Sequence, residues 1–298
     1  MVEIGRLLTA MVTPFAPDGS VDYASAKRLA LALLDSGSDG LVVAGTTGES
    51  PTLTHDEKLR LFAEVKEAVA GRGAVIAGTG TNDTAGSVEL TREAERTGVD
   101  GVLLVVPYYN RPSQEGLARH FQAIASATRL PCIPYNVPSR TGVNMTAETT
   151  IRLSAVDNIV GIKEASGDLG QIARIIEGAG QGFRVWSGAD EDTLPILEVG
   201  GYGAVAVISH LVGRQIREMI ESAVAGRSEE AARIHRRLLP LIRAIFLVTN
   251  PIPLKYVLGQ LGFPVGGLRL PRCEPDADTG ERIMAEVRRH QIDLPVTV

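Results

Sequence analysis

The residues best suited to chemistry in this chain are a lysine and a tyrosine, each closing a short apolar run. Lys163 follows Ile159-Val160-Gly161-Ile162. A run rich in β-branched residues reads as a strand packed on both faces, and a lysine at its end is drawn out of water. Desolvation disfavours the ammonium form and lowers the pKa. A free amine near neutral pH can then attack a carbonyl and form a Schiff base. The plainer reading is a structural lysine paired with Glu164 or another carboxylate. Tyr135 closes Cys132-Ile133-Pro134, and its phenol can give and take a proton. Arg140 follows five residues later and can hold a carboxylate bidentately, or make an ordinary surface ion pair.

Other turns supply smaller groups. In Gly45-Thr46-Thr47-Gly48-Glu49-Ser50, the glycines permit a tight turn whose amides can cradle a small carboxylate, with threonine hydroxyls beside them. Pro107-Tyr108-Tyr109-Asn110-Arg111-Pro112 adds two tyrosines that either relay protons or simply pack. Gly188, after Ser187, leaves room for a ligand, and Val205 and Val207 close another apolar run. The sum is one amine, phenols, threonines, a carboxylate-binding turn and an arginine, without a His/Asp dyad or a phosphate loop. That set suits carbon–carbon bond chemistry on a keto acid: the cationic imine withdraws electrons, a proton leaves the adjacent carbon, and an enamine forms.

The elements that must position these groups repeat. Apolar runs begin near Leu7, Leu41, Ala74, Val102, Cys132, Ile159, Arg184 and Ala204, eight short strands separated by segments of helical period. Thr54-His55-Asp56-Glu57 reads as a capping box, and Asp83, Ser113, Thr146 and Asp168 as further N-caps. The alternation predicts an α/β fold, a parallel (β/α)₈ barrel over residues 1–225. A doubly wound open sheet is the rival, but Thr13-Pro14-Phe15-Ala16-Pro17-Asp18-Gly19 lacks its Gly-rich turn. Residues 226–298 read as a C-terminal helical cap. It holds an apolar stripe at Ile234, Leu238, Leu241, Ile242 and Ile245, a helix begun at Asn250-Pro251-Ile252-Pro253, and a last helix near Asp278–Arg289.

Composition narrows the partners. The 298 residues carry a formal net charge of −5, and no Lys/Arg cluster offsets it, which argues against nucleic acid. Cys132 and Cys273 read as reduced thiols of a cytoplasmic protein, and the five histidines are scattered, so no metal site is expected from them. No segment reads as a signal peptide or membrane span.

The stretches GTTGES, PYYNRPSQEG, YNVPSRTG and IVGIKEASG, in order and at matching spacing over nearly the whole chain, resemble the dihydrodipicolinate synthase family. These are pyruvate-dependent class I aldolases, a group that also holds N-acetylneuraminate lyase. The resemblance implies that Lys163 forms the Schiff base with pyruvate, that Tyr135 donates and accepts protons, and that Thr46 and Tyr109 complete its relay. It implies that Thr47 binds the pyruvate carboxylate, that Val205 lines the same pocket, and that Arg140 holds the carboxylate of aspartate semialdehyde. The implied product is 4-hydroxy-tetrahydrodipicolinate, on the way to diaminopimelate and lysine. No cofactor beyond the imine is implied. Tyr109 would reach into a neighbouring subunit's site, in a homotetramer built from dimers. Sialic-acid lyases generally lack the arginine of Ser139-Arg140-Thr141-Gly142, which favours the synthase over another pyruvate aldolase, such as a sialic-acid or keto-deoxy sugar acid lyase. A catalytically silent keto-acid-binding barrel would be expected to lose Lys163 or Tyr135. In members inhibited by lysine, a second histidine and an acidic residue often stand where this chain has Lys58 and Gly86, while His55, Asn82 and Tyr108 match. Weak or absent inhibition by lysine is the expectation.

Overall fold

The computed structural model describes residues 3–295. Eight parallel strands close into a barrel: β1 (Leu7–Ala10), β2 (Gly40–Val43), β3 (Ala74–Gly78), β4 (Gly101–Val105), β5 (Cys132–Asn136), β6 (Gly161–Glu164), β7 (Arg184–Ser187) and β8 (Gly203–Ala206). Each strand pairs with the next in sequence, and β8 returns to β1 with Val205 opposite Leu8. The strands are apolar on both faces because one face fills the barrel and the other meets the helices. Nearly every strand residue is buried. This is the barrel that the alternation predicts, and the open sheet is excluded.

The helices between strands are α1 (Tyr23–Asp35), α2 (His55–Val69), α3 (Thr84–Arg96), α4 (Gln114–Ala125), α5 (Pro138–Thr141), α6 (Ala147–Leu153), α7 (Leu169–Gly178) and α8 (Thr193–Glu198). Thr54 and Glu57 form the expected capping box of α2. Asp83, Ser113, Thr146 and Asp168 cap α3, α4, α6 and α7 as read, because a side-chain oxygen one residue before each helix accepts an otherwise orphaned amide. The sixth strand begins later than expected. Ile159 makes only an isolated bridge to Cys132, since its own amide donates to Val156 O in the preceding turn. Regular pairing starts at Gly161, where a Cβ would stand 2.1 Å from Arg184 O, so only glycine lets β6 and β7 close up.

Four further helices follow β8: α9 (Ser209–Val224), α10 (Ser228–Ile245), α11 (Ile252–Gln260) and α12 (Ala277–Val287). The stripe on α10 is buried as its spacing requires. None of the helices described is long and apolar enough to cross a membrane. This C-terminal part also reaches back to the barrel mouth. Lys255 Nζ donates to Glu49 Oε1 and to Thr13 O, both at 3.0 Å, and the Arg269 amide donates to Glu49 Oε2 at 3.2 Å. Glu49 and Lys255 side chains are 0% and 1% exposed. Glu49 sits in left-handed backbone (φ 57°), so the turn that carries Thr46 and Thr47 is pinned at a strained residue. Glu49, whose role the sequence leaves open, therefore braces its loop.

Removing one partner of a fully buried ion pair leaves an uncompensated charge. Lys255→Met is expected to cost about 3–5 kcal/mol of stability in urea denaturation. An unchanged midpoint would show that the pair does not hold the mouth together.

Candidate active site

Lys163 occupies the third position of β6, with Tyr135 of β5 and Trp186 of β7 as its register partners. It stands one residue before the strand end, not at the end as the sequence suggests. That shift matters because neighbouring residues of a strand face opposite ways. Lys163 lines the cavity at the mouth, and Glu164 lies on the other face. There the Glu164 carboxylate accepts from the Ser166 amide at 2.7 Å and from Asn136 Nδ2 at 3.1 and 3.2 Å. The structural pairing of Lys163 with Glu164 is not made.

The Lys163 side chain is 5% exposed. Burial lowers its amine to about 8, partly offset by the carboxylate of Asp190 and reinforced by Arg140. Its Nζ stands 4.1 Å from the centroid of the Tyr135 ring. Burial pushes the Tyr135 phenol up to about 12, against the pull of Arg140, so it stays protonated near neutral pH. Asp190 is itself buried, accepting from the amides of Val207 at 3.0 and 3.1 Å and Ile208 at 3.2 Å. Burial raises its carboxyl to about 6, while those amides and Lys163 hold it down. The site therefore has a charged carboxylate and a partly neutral amine in the same pH range, which is what imine formation needs.

The cavity measures about 240 Å³. Thr46, Thr47, Tyr135, Arg140, Lys163 and Gly188 all line it, so most of the residues singled out in the sequence come together. Gly188 backs the amine: a Cβ there would lie 3.0 Å from Lys163 Cε and Cγ. Thr47 Oγ1 accepts from Asn250 Nδ2 at 2.9 Å, and Asn250 O takes a long contact of 3.5 Å from Arg140 Nη2. Two expected residues lie elsewhere. Val205 is buried within β8, and Val207, two residues further on, lines the cavity instead. Tyr109 is 89% exposed and does not line the cavity in the single chain.

Asn250 and Asp190 were missed in the sequence. Asn250 stands in Asn-Pro-Ile-Pro, which reads only as a helix break, and Asp190 lies three residues beyond a strand end, in a run of acidic residues that looks like surface. An adjoining chamber of about 250 Å³ shares Thr46, Tyr135 and Arg140 with the first. Lys58 and Tyr108 line it, whereas the His55 ring hydrogen-bonds to Glu93, Asn82 O accepts from Asn110 Nδ2 at 2.8 Å, and the Gly86 amide caps onto Asp83. Among the described residues, no three His, Cys, Asp or Glu side chains are grouped to hold a metal ion.

Residues 3–290 match the model of the Dihydrodipicolinate synthetase family. The chain belongs to that family. A 4-hydroxy-tetrahydrodipicolinate synthase of Dehalococcoides mccartyi (strain CBDB1) is 62% identical over 296 residues, 99% of this chain and all of that one. Among solved structures, dihydrodipicolinate synthase from Bacillus anthracis superposes with a TM-score of 0.95 at 43% identity, covering 97% of this chain and 99% of that one. The enzyme from Cyanidioschyzon merolae, crystallised with lysine bound, gives 0.94 at 49% identity over 96% and 97%. The relatives carry the synthase name rather than that of a sialic-acid lyase, as the arginine of the Ser139–Gly142 stretch leads one to expect.

Because only the neutral amine attacks, the rate of borohydride trapping of a keto acid at Lys163 is expected to rise with pH and level off above about 8. Asp190→Asn removes a charge that favours the ammonium, so the midpoint should move to lower pH. A midpoint that stays in place would show that Lys163 does not feel Asp190.

Proposed function

We propose that this chain condenses pyruvate with L-aspartate 4-semialdehyde to give 4-hydroxy-tetrahydrodipicolinate, through an imine on Lys163 and without a separate cofactor. The observation that carries the reading is a desolvated amine, backed by Gly188, over the face of a protonated phenol at the mouth of the barrel.

The steps follow from the groups present. The pyruvate carboxylate lodges at Thr47 and the Gly45–Thr46 turn, which sets the keto carbon against the amine. Lys163 adds to that carbon, and the hydroxyl leaves as water after taking a proton, for which Tyr135 is the donor at hand. The iminium withdraws electrons and a methyl proton passes to the Tyr135 phenoxide left by that donation, giving an enamine. The enamine carbon attacks the aldehyde of the second substrate, whose carboxylate Arg140 holds, and the aldehyde oxygen takes the proton from Tyr135 to become the product's hydroxyl. The amino group of that substrate then adds to the imine carbon, closes the ring and releases Lys163. Val205 stays buried in β8, two residues before Val207 of the cavity wall. Thr46 passes protons to Tyr135.

Tyr109 belongs to this scheme only as a neighbour's residue. An aromatic ring 89% exposed, on a non-glycine residue at φ 74°, is costly without a partner surface. A homo-oligomer in which Tyr109 completes the next subunit's relay gives it one, and a cytoplasmic homotetramer is our reading. Lys58 lines the outer chamber. There an ammonium side chain repels the side-chain ammonium of lysine, a charge that aspartate semialdehyde lacks, and Gly86 supplies no countercharge.

Pyruvate with borohydride should add one reduced pyruvyl group to the Lys163 peptide, and Lys163→Ala should abolish it. Tyr135→Phe should keep trapping but slow turnover by about 10²–10⁴-fold, the usual worth of positioned proton transfer. Normal turnover of that variant would remove the phenol from the mechanism. Among a panel of aldehydes, aspartate semialdehyde should be consumed best, and preference for an acyl-amino sugar would favour the lyase. Lysine at submillimolar concentration should leave the rate unchanged, and strong inhibition would refute the role given to Lys58.

A further inference from the structure

The outer chamber carries more positive charge than the reaction requires. Lys58, Arg140 and Arg272 all line it, and among the described residues no Asp or Glu side chain does. Like charges gathered in a cavity of about 250 Å³ repel one another, and Arg272 pays twice: burial and Arg140 both disfavour its charged form, with only Glu49 acting the other way. Glu49 is already engaged by Lys255 and the Arg269 amide. The segment that delivers Arg272 is fixed, because the Arg269 guanidinium donates to Glu57 at 2.6 and 2.8 Å and to Thr52 O at 2.7 Å, and the Arg272 amide donates to Arg269 O at 3.1 Å. A costly guanidinium held on a rigid strap beside a cavity is what anion recognition needs. The other walls are apolar, from Leu103, Val105 and Val137, which suits the carbon chain of an organic acid better than inorganic phosphate.

We infer that Arg272 is a second carboxylate-holding side chain of the site, acting with Arg140 to bind and orient the acidic aldehyde in the outer chamber before it meets the enamine on Lys163. This rests on the proposed condensation for the identity of the aldehyde, though not for the anion site itself. The absence of an acidic group in the lining leaves the carboxylate, not the ammonium, as the handle by which the chamber recognises its ligand.

The test compares the full-length wild type with Arg272→Leu and Arg272→Lys. In steady state, Arg272→Leu should raise KM for aspartate semialdehyde about ten-fold, the scale of one charge-assisted hydrogen bond, with KM for pyruvate and borohydride trapping at Lys163 unchanged. Arg272→Lys should recover part of the loss. A matching rise in both KM values, or no rise in either, would overturn the assignment. A second arm needs no turnover: after pyruvate has been fixed on Lys163 with borohydride, succinate is titrated calorimetrically. Wild type should bind it about ten-fold more tightly than Arg272→Leu. Equal binding, or none to wild type, would refute the anion site. If wild type binds succinate through Arg272 but does not turn over the semialdehyde, the condensation fails and the anion site stands.

Discussion

Everything in this molecule turns on keeping one amine out of water without giving it a permanent counter-ion. A lysine buried against a carboxylate at contact distance stays protonated and inert, and a lysine in bulk water does too. Lys163 occupies the interval between those limits. Burial depresses its pKa, an aromatic face covers its nitrogen, and Asp190 supplies a field that is tempered by its own hydrogen bonds to two amides. The alternation of a strand does the rest, by sending the neighbouring carboxylate of Glu164 to the opposite face.

The barrel explains why such an arrangement is stable. Side chains from adjacent strands are fixed by backbone pairing, so Tyr135 and Lys163 meet because β5 and β6 hold them in register. Precision of this kind is hard to obtain on loops alone. The loops contribute what strands cannot: the tight turn after β2 brings Thr46 and Thr47 to the cavity, and the helix turn after β5 presents Arg140. The C-terminal part then acts as a buttress, with Asn250 against Thr47, Lys255 of α11 against Glu49 and Arg269 against Glu57.

Much of this is legible in the chain itself. Strand and helix alternation, the caps and the α10 stripe are local patterns, and local patterns survive folding when each segment agrees with the whole. Lys163, Tyr135, Thr46, Thr47, Arg140 and Gly188 are also readable, since they stand at or just past strand ends and a barrel gathers strand ends at one mouth. The groups that escape reading are those brought in from a distance. Asn250 and Arg272 arrive from beyond β8, and nothing in their local sequence says which turn they will face. Asp190 looks like one of three surface acids until its two amide donors are seen. Apolar character alone does not mark where strand pairing starts and stops, which is why Lys163 stands one residue before the end of β6 and why Val207, just past the end of β8, lines the cavity while Val205 stays within the strand.

The buttress has a bearing on how relatives of this chain can be recombined. Gly45–Glu49 and Asn250–Arg269 lie some two hundred positions apart in sequence yet share one buried ion pair and one hydrogen bond to Thr47. A crossover that takes the first stretch from one parent and the second from another would join halves never selected to fit. Such chimaeras have to inherit both stretches from a single parent, however well the barrels themselves align.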